Sequence, residues 1–226
     1  MKNTIVITGA NRGIGFAMSQ LFTEQGHTVF ALCRQSSEML DTLKASNSNL
    51  MIIEEVDVST DVGINNMVEG LKNVSIDLLV CNAGILRDEQ LGNLNLATIR
   101  EQFEVNALAP LRVVDALSEQ LLSGGKIAMI TSRMGSIADN GSGGRYGYRM
   151  SKAALNAAAM SLSKDLADKE IAVGIYHPGY VQTDMVNFGG DISADESAGK
   201  LVNLINELTM KETGVFKHSN GQLLPW

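Results

Sequence analysis

The 226-residue chain contains only two cysteines, three histidines and three prolines, and each scarcity closes off a class of chemistry. His27, His177 and His218 are scattered. No His-Glu-x-x-His or paired-cysteine spacing is present, so no metal centre is expected. The chain has no Gly-x-x-x-x-Gly-Lys-Ser/Thr run for a P-loop nucleotidase. Gly141-Ser142-Gly143 only imitates the serine elbow of a hydrolase, with the wrong spacing. No apolar run is long enough to span a bilayer, and Met1-Lys-Asn leads straight into an apolar segment without a signal-peptide pattern. Cys33 and Cys81 each end a predicted strand. They are expected to be inert core thiols in a reducing compartment, which makes the cytoplasm the expected location. Positive charge is also short: 18 Lys and Arg against 25 Asp and Glu give a net −7, which speaks against a nucleic-acid partner.

What is present begins at the N-terminus. Asn3 to Ile7 form a short β-branched run that reads as a buried strand. Thr8-Gly9-Ala10-Asn11-Arg12-Gly13-Ile14-Gly15 follows, and then Phe16, Ala17, Leu21 and Phe22 recur at helical spacing. Strand, glycine-rich turn and helix in that order make a phosphate cradle, because free N–H groups and the helix dipole meet there. The alternative is a turn whose glycines serve only close strand–helix packing. A second strand, Thr28 to Cys33, ends at Arg34 rather than at the Asp or Glu that commonly bonds the adenosine ribose. Arg34 and Arg12 together suit a 2′-phosphate and favour NADPH over NADH, although either could be an ordinary surface charge. Asp57, in Val56-Asp57-Val58 after the third strand, could bond an adenine amino group or cap the next helix.

Tyr148 and Lys152 stand four residues apart, on one face of a predicted helix. An ammonium beside a phenol favours the phenolate, so a lowered tyrosine pKa is expected. Ser132 follows the predicted strand Lys126 to Thr131 and could either serve a site or simply close that strand. Asn106, inside a predicted helix, could equally be structural.

With the glycine turn, Asn82-Ala83-Gly84, Ser132, and Tyr148 with Lys152 in this order, the chain resembles the short-chain dehydrogenase/reductase family from about residue 3 to about residue 218. Pro178-Gly179, with Val181 and Thr183 after it, falls where that family closes over the nicotinamide. Within the family, the segments Gly135 to Asn140, Tyr148 to Leu155 and Leu223 to Trp226 look like those of Sniffer-type carbonyl reductases and C-factor-like bacterial proteins. The gap from Ser132 to Tyr148 is slightly longer than usual in the wider family but suits this subgroup. The resemblance implies that Tyr148 is the general acid/base and that Lys152 lowers its pKa and holds the nicotinamide ribose. It implies that Ser132 orients the substrate carbonyl and Asn106 keeps a relay water. Gly9, Asn11, Arg12, Gly13, Ile14, Gly15, Arg34, Asp57, Val58, Asn82, Ala83 and Gly84 then hold the rest of the dinucleotide.

Helices are expected at about Ser36 to Ala45, Asp61 to Leu71, Thr98 to Leu122, Tyr148 to Lys169 and Ala194 to Lys211. Strands are expected at Met51 to Val56, Ile76 to Cys81, Ala172 to His177 and Gly214 to Lys217. This alternation predicts one α/β domain, a Rossmann-type doubly wound and mostly parallel seven-stranded sheet with helices on both faces. The small-residue surface Ala153, Ala154, Ala157, Ala158 and Met160 suggests a homodimer or homotetramer. Asp184 to Asp191 should form a short lid with Met185, Val186 and Phe188 on its inner face. The expected activity is NADPH-dependent reduction of a small ketone or aldehyde. An NAD-dependent secondary-alcohol dehydrogenase and an NAD(P)-binding sensor with little turnover are the competing readings.

Overall fold

The computed structural model describes residues 2–226. Seven parallel strands form one sheet: β1 (Thr4–Thr8), β2 (Thr28–Leu32), β3 (Leu50–Ile53), β4 (Ile76–Cys81), β5 (Leu121–Ile130), β6 (Ala172–His177) and β7 (Phe216–His218). Their order is β3-β2-β1-β4-β5-β6-β7. Successive side chains on a strand face opposite ways, and both faces here are covered, so the middle of β1, Ile5 to Ile7, is apolar without alternation. Ile5 and Ile7 pack with Met18, Phe22, Leu40 and Leu201. Val6 between them packs with Met67, Val113, Leu155 and Val173 on the other side. Each such fully buried aliphatic side chain contributes about 1.5–3 kcal/mol.

The helices are α1 (Gly13–Glu24), α2 (Glu38–Ser46), α3 (Asp61–Gly70), α4 (Leu96–Phe103), α5 (Ala109–Ala116), α6 (Tyr146–Asp165) and α7 (Ala194–Glu207). β1 runs into α1 on one side of the sheet, whereas β4 leads to helices on the other. The strand order therefore reverses between β1 and β4, where a crevice opens at the carboxyl ends of the strands.

The predicted helix Thr98 to Leu122 is corrected in two ways. It is interrupted by a π-helical turn, Glu104–Leu108, in which the Ala109 N–H reaches the Glu104 carbonyl. It also ends at Ala116, and Leu121 and Leu122 already belong to β5. β5 starts early because its pairing with β4 shifts register between Ile76 and Leu78, with Gly124 at φ 79° in the irregular stretch. The other predicted helices keep their positions, with α6 stopping at Asp165 and α7 at Glu207. Met150 on α6 and Leu108 and Leu111 beside it are exposed in the single chain.

Candidate active site

The glycine turn after β1 and the Asn82-Ala83-Gly84 segment after β4 meet at the crevice. Thr8, buried at the end of β1, ties them together. Its Oγ1 accepts from the N–H groups of Asn82 at 3.0 Å and Ala83 at 3.1 Å. Asn82 Nδ2 answers by donating to the Thr8 and Gly9 carbonyls, both at 3.1 Å. Gly15 fits beneath this clamp only because it lacks a side chain. A Cβ there would lie 2.3 Å from the Gly9 oxygen and 2.5 Å from Asn82 Nδ2. The close-packing reading therefore holds for Gly15, whereas Gly9 and Gly13 also adopt positive φ of 66° and 53°.

The same turn leaves the start of α1 open. Side chains cap the other exposed helix starts: Ser37 on α2, Thr60 on α3, Asn95 on α4 and Ser193 on α7. Arg12, the residue at that place on α1, makes no capping bond, and the first turn holds no acidic side chain. Uncapped N–H groups facing a crevice suit a phosphate. Asn11 secures the rim, donating from Nδ2 to the Gln35 carbonyl at 2.9 Å, while its own carbonyl accepts from Ser37 Oγ at 2.7 Å. Ile14 packs beside the core on the inner side of α1.

Arg34 is exposed at the end of β2, near Asp57. Burial alone would raise the Asp57 pKa. Two hydrogen bonds from Ser59, to Asp57 Oδ1 at 3.0 and 2.6 Å, and the charge of Arg34 outweigh it, so the carboxyl lies below its ordinary range. Asp57 thus shapes the turn before α3, but the cap of that helix is Thr60, which accepts from Gly63 N–H at 3.0 Å. Val58 is buried beside it. Arg12 lies apart from Arg34 in its bonding: its Nη1 meets Asp184 Oδ2 at 3.1 Å, linking the glycine turn to the segment after Thr183. In that segment Phe188 is 64% exposed and Met185 also faces solvent, so the apolar inner face expected of the lid reduces to Val186. Pro178 and Gly179 leave β6 with the Pro178 carbonyl accepting from Ser197 Oγ at 2.8 Å and Ser219 Oγ at 3.0 Å. Val181 is buried and bridges Ile192, and Thr183 Oγ1 donates to the Val181 carbonyl at 3.4 Å.

Ser132, Tyr148 and Lys152 come together at the end of β5 and are all buried. Ser132 caps a short 3-10 turn, Arg133–Gly135, through Met134 N–H at 3.1 Å. The expected net lowering of the Tyr148 pKa is corrected. Burial pushes the phenol up, and hydrogen bonding from Ser132 together with the charge of Arg145 pulls it back only in part. Lys152 is itself pushed down by burial, to about 8. Its Nζ donates to the Ile130 carbonyl at 3.0 Å and stands 5.9 Å from the centre of the tyrosine ring.

Asn106 is fully buried in the π-turn. Its Oδ1 accepts from Ile85 N–H at 2.8 Å, and its Nδ2 donates to the Ile85 carbonyl at 2.8 Å and to Ser151 Oγ at 3.0 Å. The side chain is thus committed to holding the stretch after Gly84. Its backbone carbonyl is different: the residue four further on is Pro110, which has no N–H to give it. A water relay at Asn106 would run through that carbonyl.

Three residues were not singled out from the sequence. Thr8 is one, and its signal is only a hydroxyl at a strand end. His177 is a second; it directly precedes Pro178, packs edge-on against His218 at 4.9 Å, and is driven down to about 3 by burial, so it stays neutral. Glu89 is the third, 1% exposed, with Oε1 accepting from Thr98 Oγ1 at 2.8 Å and Gln102 Nε2 at 2.7 Å, and Oε2 from Gly147 N–H at 3.2 Å. It supplies from a distant loop the cap that α6 lacks. On the far side, Trp226 stacks on Phe216 at 5.4 Å, and its carbonyl accepts from Ala138 N–H at 2.9 Å and Ser136 Oγ at 3.2 Å. Burial raises the pKa of Cys33 to about 11 and of Cys81 to about 12, leaving both thiols unreactive. Among the described residues no cluster of metal-ligating side chains occurs, and no helix is long and apolar enough to cross a membrane.

The family model described as short chain dehydrogenase matches residues 3–191. A curated relative, 1-hydroxy-2-glutathionyl-2-methyl-3-butene dehydrogenase of Rhodococcus sp. (strain AD45), is 34% identical over 230 residues, spanning 99% of this chain and 100% of the relative. Among solved structures, NADPH-bound carbonyl reductase from chicken fatty liver is similar with a TM-score of 0.91 and 30% identity, over 100% of this chain and 99% of the other. Carbonyl reductase Sniffer of D. melanogaster gives a TM-score of 0.92 and 29% identity, with both chains covered completely.

Proposed function

This chain belongs to the short chain dehydrogenase family, and we propose that within it the protein is an NADPH-dependent carbonyl reductase that turns a ketone or aldehyde into an alcohol. The observation that carries this reading is the buried cluster of Ser132, Tyr148 and Lys152 at the end of β5, with the Lys152 amine 5.9 Å from the centre of the tyrosine ring. A proton-bearing phenol is a donor, which is the role the reductive direction requires.

The residues present fit a dinucleotide, because the start of α1 at the crevice has no side-chain cap and no acidic residue in its first turn. Backbone groups of Gly9, Asn11, Gly13, Ile14 and Gly15 hold the pyrophosphate in this reading. Arg12 and Arg34 meet a 2′-phosphate, Asp57 and Val58 meet the adenine, and Asn82, Ala83 and Gly84 line the adenosine side. Pro178, Gly179, Val181 and Thr183 cover the other end. When bound, the nicotinamide supplies the hydride. Ser132 and Tyr148 donate hydrogen bonds to the substrate oxygen as it gains negative charge, which stabilises the transition state. Tyr148 then passes its proton to that oxygen. Lys152 places a positive charge beside the phenol and bonds the ribose, and the Asn106 carbonyl, which Pro110 cannot serve, anchors the water that returns the proton. The NADPH bound to the chicken carbonyl reductase supports the choice of cofactor.

Two outcomes test this assignment. With Lys152 held at about 8, its charge is present below that pH and lost above it. Losing it makes the phenol a weaker acid, so kcat/KM for carbonyl reduction should be level below neutrality and decline above about pH 8. Lys152→Met should run lower with that break absent; an unchanged break in the variant assigns it to another group. Arg34→Asp should raise KM for NADPH at least about tenfold, the effect of losing a charge-assisted phosphate bond. An unchanged KM removes Arg34 from the phosphate.

A further inference from the structure

We propose that the enzyme selects carbonyl substrates that also carry a carboxylate, and that Arg145 is the residue that grips it. The inference rests on the reductase reading above and deepens it.

Arg145 immediately precedes α6 and adopts a left-handed backbone, φ 51° and ψ 46°. For a side chain of this size that conformation is uncommon and needs support from its surroundings. The support is visible. Arg145 N–H donates to the Glu89 carbonyl at 2.9 Å, and its own carbonyl accepts from Arg149 N–H at 2.9 Å. Two residues later, the Glu89 carboxylate takes the Gly147 N–H. The buried Glu89 knot thus fixes the turn, and the turn fixes where the arginine points. It leads toward the reacting pair: Nη1 lies 3.9 Å from the sulfur of Met134, two residues beyond Ser132. Its charge also reaches the Tyr148 phenol.

What the guanidinium meets there does not satisfy it. Nε is 3.6 Å from Asp88 Oδ1, on a side chain 59% exposed, and such a pair is weak. A thioether sulfur is a poor acceptor. The neighbouring arginines are better engaged. Arg133 is gripped by Asp139 at 2.8 Å through Nε and 2.7 Å through Nη2. Arg149 donates to Ser142 Oγ at 2.8 Å and the Gly143 carbonyl at 3.3 Å. Of the three, Arg145 alone keeps its planar fork open beside the phenol. A carboxylate is the planar anion that such a fork binds with two parallel hydrogen bonds. The carboxylate is a bystander in the reaction. The hydride forms the new C–H bond, the carbonyl π pair moves onto oxygen, and the Tyr148 proton completes the alcohol as NADPH becomes NADP⁺.

The test compares kcat/KM for α-oxo and γ-oxo acids with their methyl esters, in the natural protein and in Arg145→Asn. Asparagine tolerates the left-handed backbone, so the turn survives while the charge goes. At least one acid should be favoured over its ester by about tenfold or more, the scale of a charged hydrogen bond, and the preference should fall close to unity in the variant. If Arg145→Asn does not fold, Arg145→Lys replaces it and should keep only part of the preference. Equal or better turnover of every ester, or a preference that survives in the variant, overturns the inference and leaves the reductase reading intact. Turnover of neither acids nor esters, nor of neutral ketones and aldehydes, overturns that reading and this inference with it.

Discussion

Tyr148→Phe is expected to lower carbonyl reduction about a thousandfold while NADPH binding keeps its affinity. The substitution removes one oxygen from a ring that is almost entirely buried, so the packing of α6 against the sheet is retained. What disappears in the proposed mechanism is the proton donor and one of two hydrogen bonds to the developing oxyanion. General acid catalysis is worth about 10²–10⁴-fold, and the lost oxyanion contact adds to it. Stopped-flow turnover beside a fluorescence titration of NADPH separates the two effects. A loss below about tenfold would remove the phenol from the chemistry. A parallel collapse of cofactor binding would mean that the ring is a structural element of the cleft.

Gly15→Ala should produce a different failure, with both stability and cofactor binding affected. The added methyl would lie 2.3 Å from the Gly9 oxygen and 2.5 Å from Asn82 Nδ2, and neither is a flexible chain end. To make room, the glycine turn must lift from the Asn82 clamp, which breaks the two 3.1 Å bonds to the Thr8 and Gly9 carbonyls. Overpacking of this kind costs about 1–3 kcal/mol, and each lost hydrogen bond about 1 kcal/mol more. For a domain of this size that corresponds to a drop in Tm on the order of 6–20 °C. NADPH affinity should fall at least about tenfold as well, because the same turn is the phosphate cradle of the proposed reading. Thermal unfolding with and without NADPH measures both. A variant with unaltered Tm would show that the turn has slack that the packed geometry does not suggest.

Much of the scaffold was legible from local pattern. Ile76–Cys81 and Ala172–His177 coincide with their predicted bounds, because each is a compact apolar run with polar residues or a proline at its end. The sheet proved wholly parallel, as near-continuous hydrophobic strands buried on both faces require. The stretch from Thr98 to Leu122 misled because Leu108, Leu111, Leu117, Leu121 and Leu122 prolong a helical rhythm past the true end of α5, and no glycine intervenes before Gly124. Pro110 was the available warning. A proline inside a helix withholds an N–H, so Pro110 cannot serve the Asn106 carbonyl, and here the backbone answers with a π-turn in which Ala109 N–H reaches the Glu104 carbonyl.

The site was legible where it is built from contiguous motifs and obscure where it depends on long-range contacts. Gly9 to Gly15 and Tyr148 with Lys152 are local patterns. Glu89 lies in a loop of no special composition and finds Gly147 across 58 residues. No spacing rule reveals such a pair. The ionisation of Tyr148 and Lys152 was also beyond sequence, because it follows from burial of both groups and from the Ile130 carbonyl that holds the amine.

The contact between Trp226 and Ser136 joins positions 90 residues apart. A ribosome that has reached Val215 has already delivered every side chain assigned here to catalysis and to cofactor binding. The strip Ser136–Ala138 nevertheless waits for Trp226 to emerge before it gains its two hydrogen bonds to that residue's carbonyl. Removing Trp226 would therefore slacken the ground beyond Ser132 first, and would leave the glycine turn between β1 and α1 as it was.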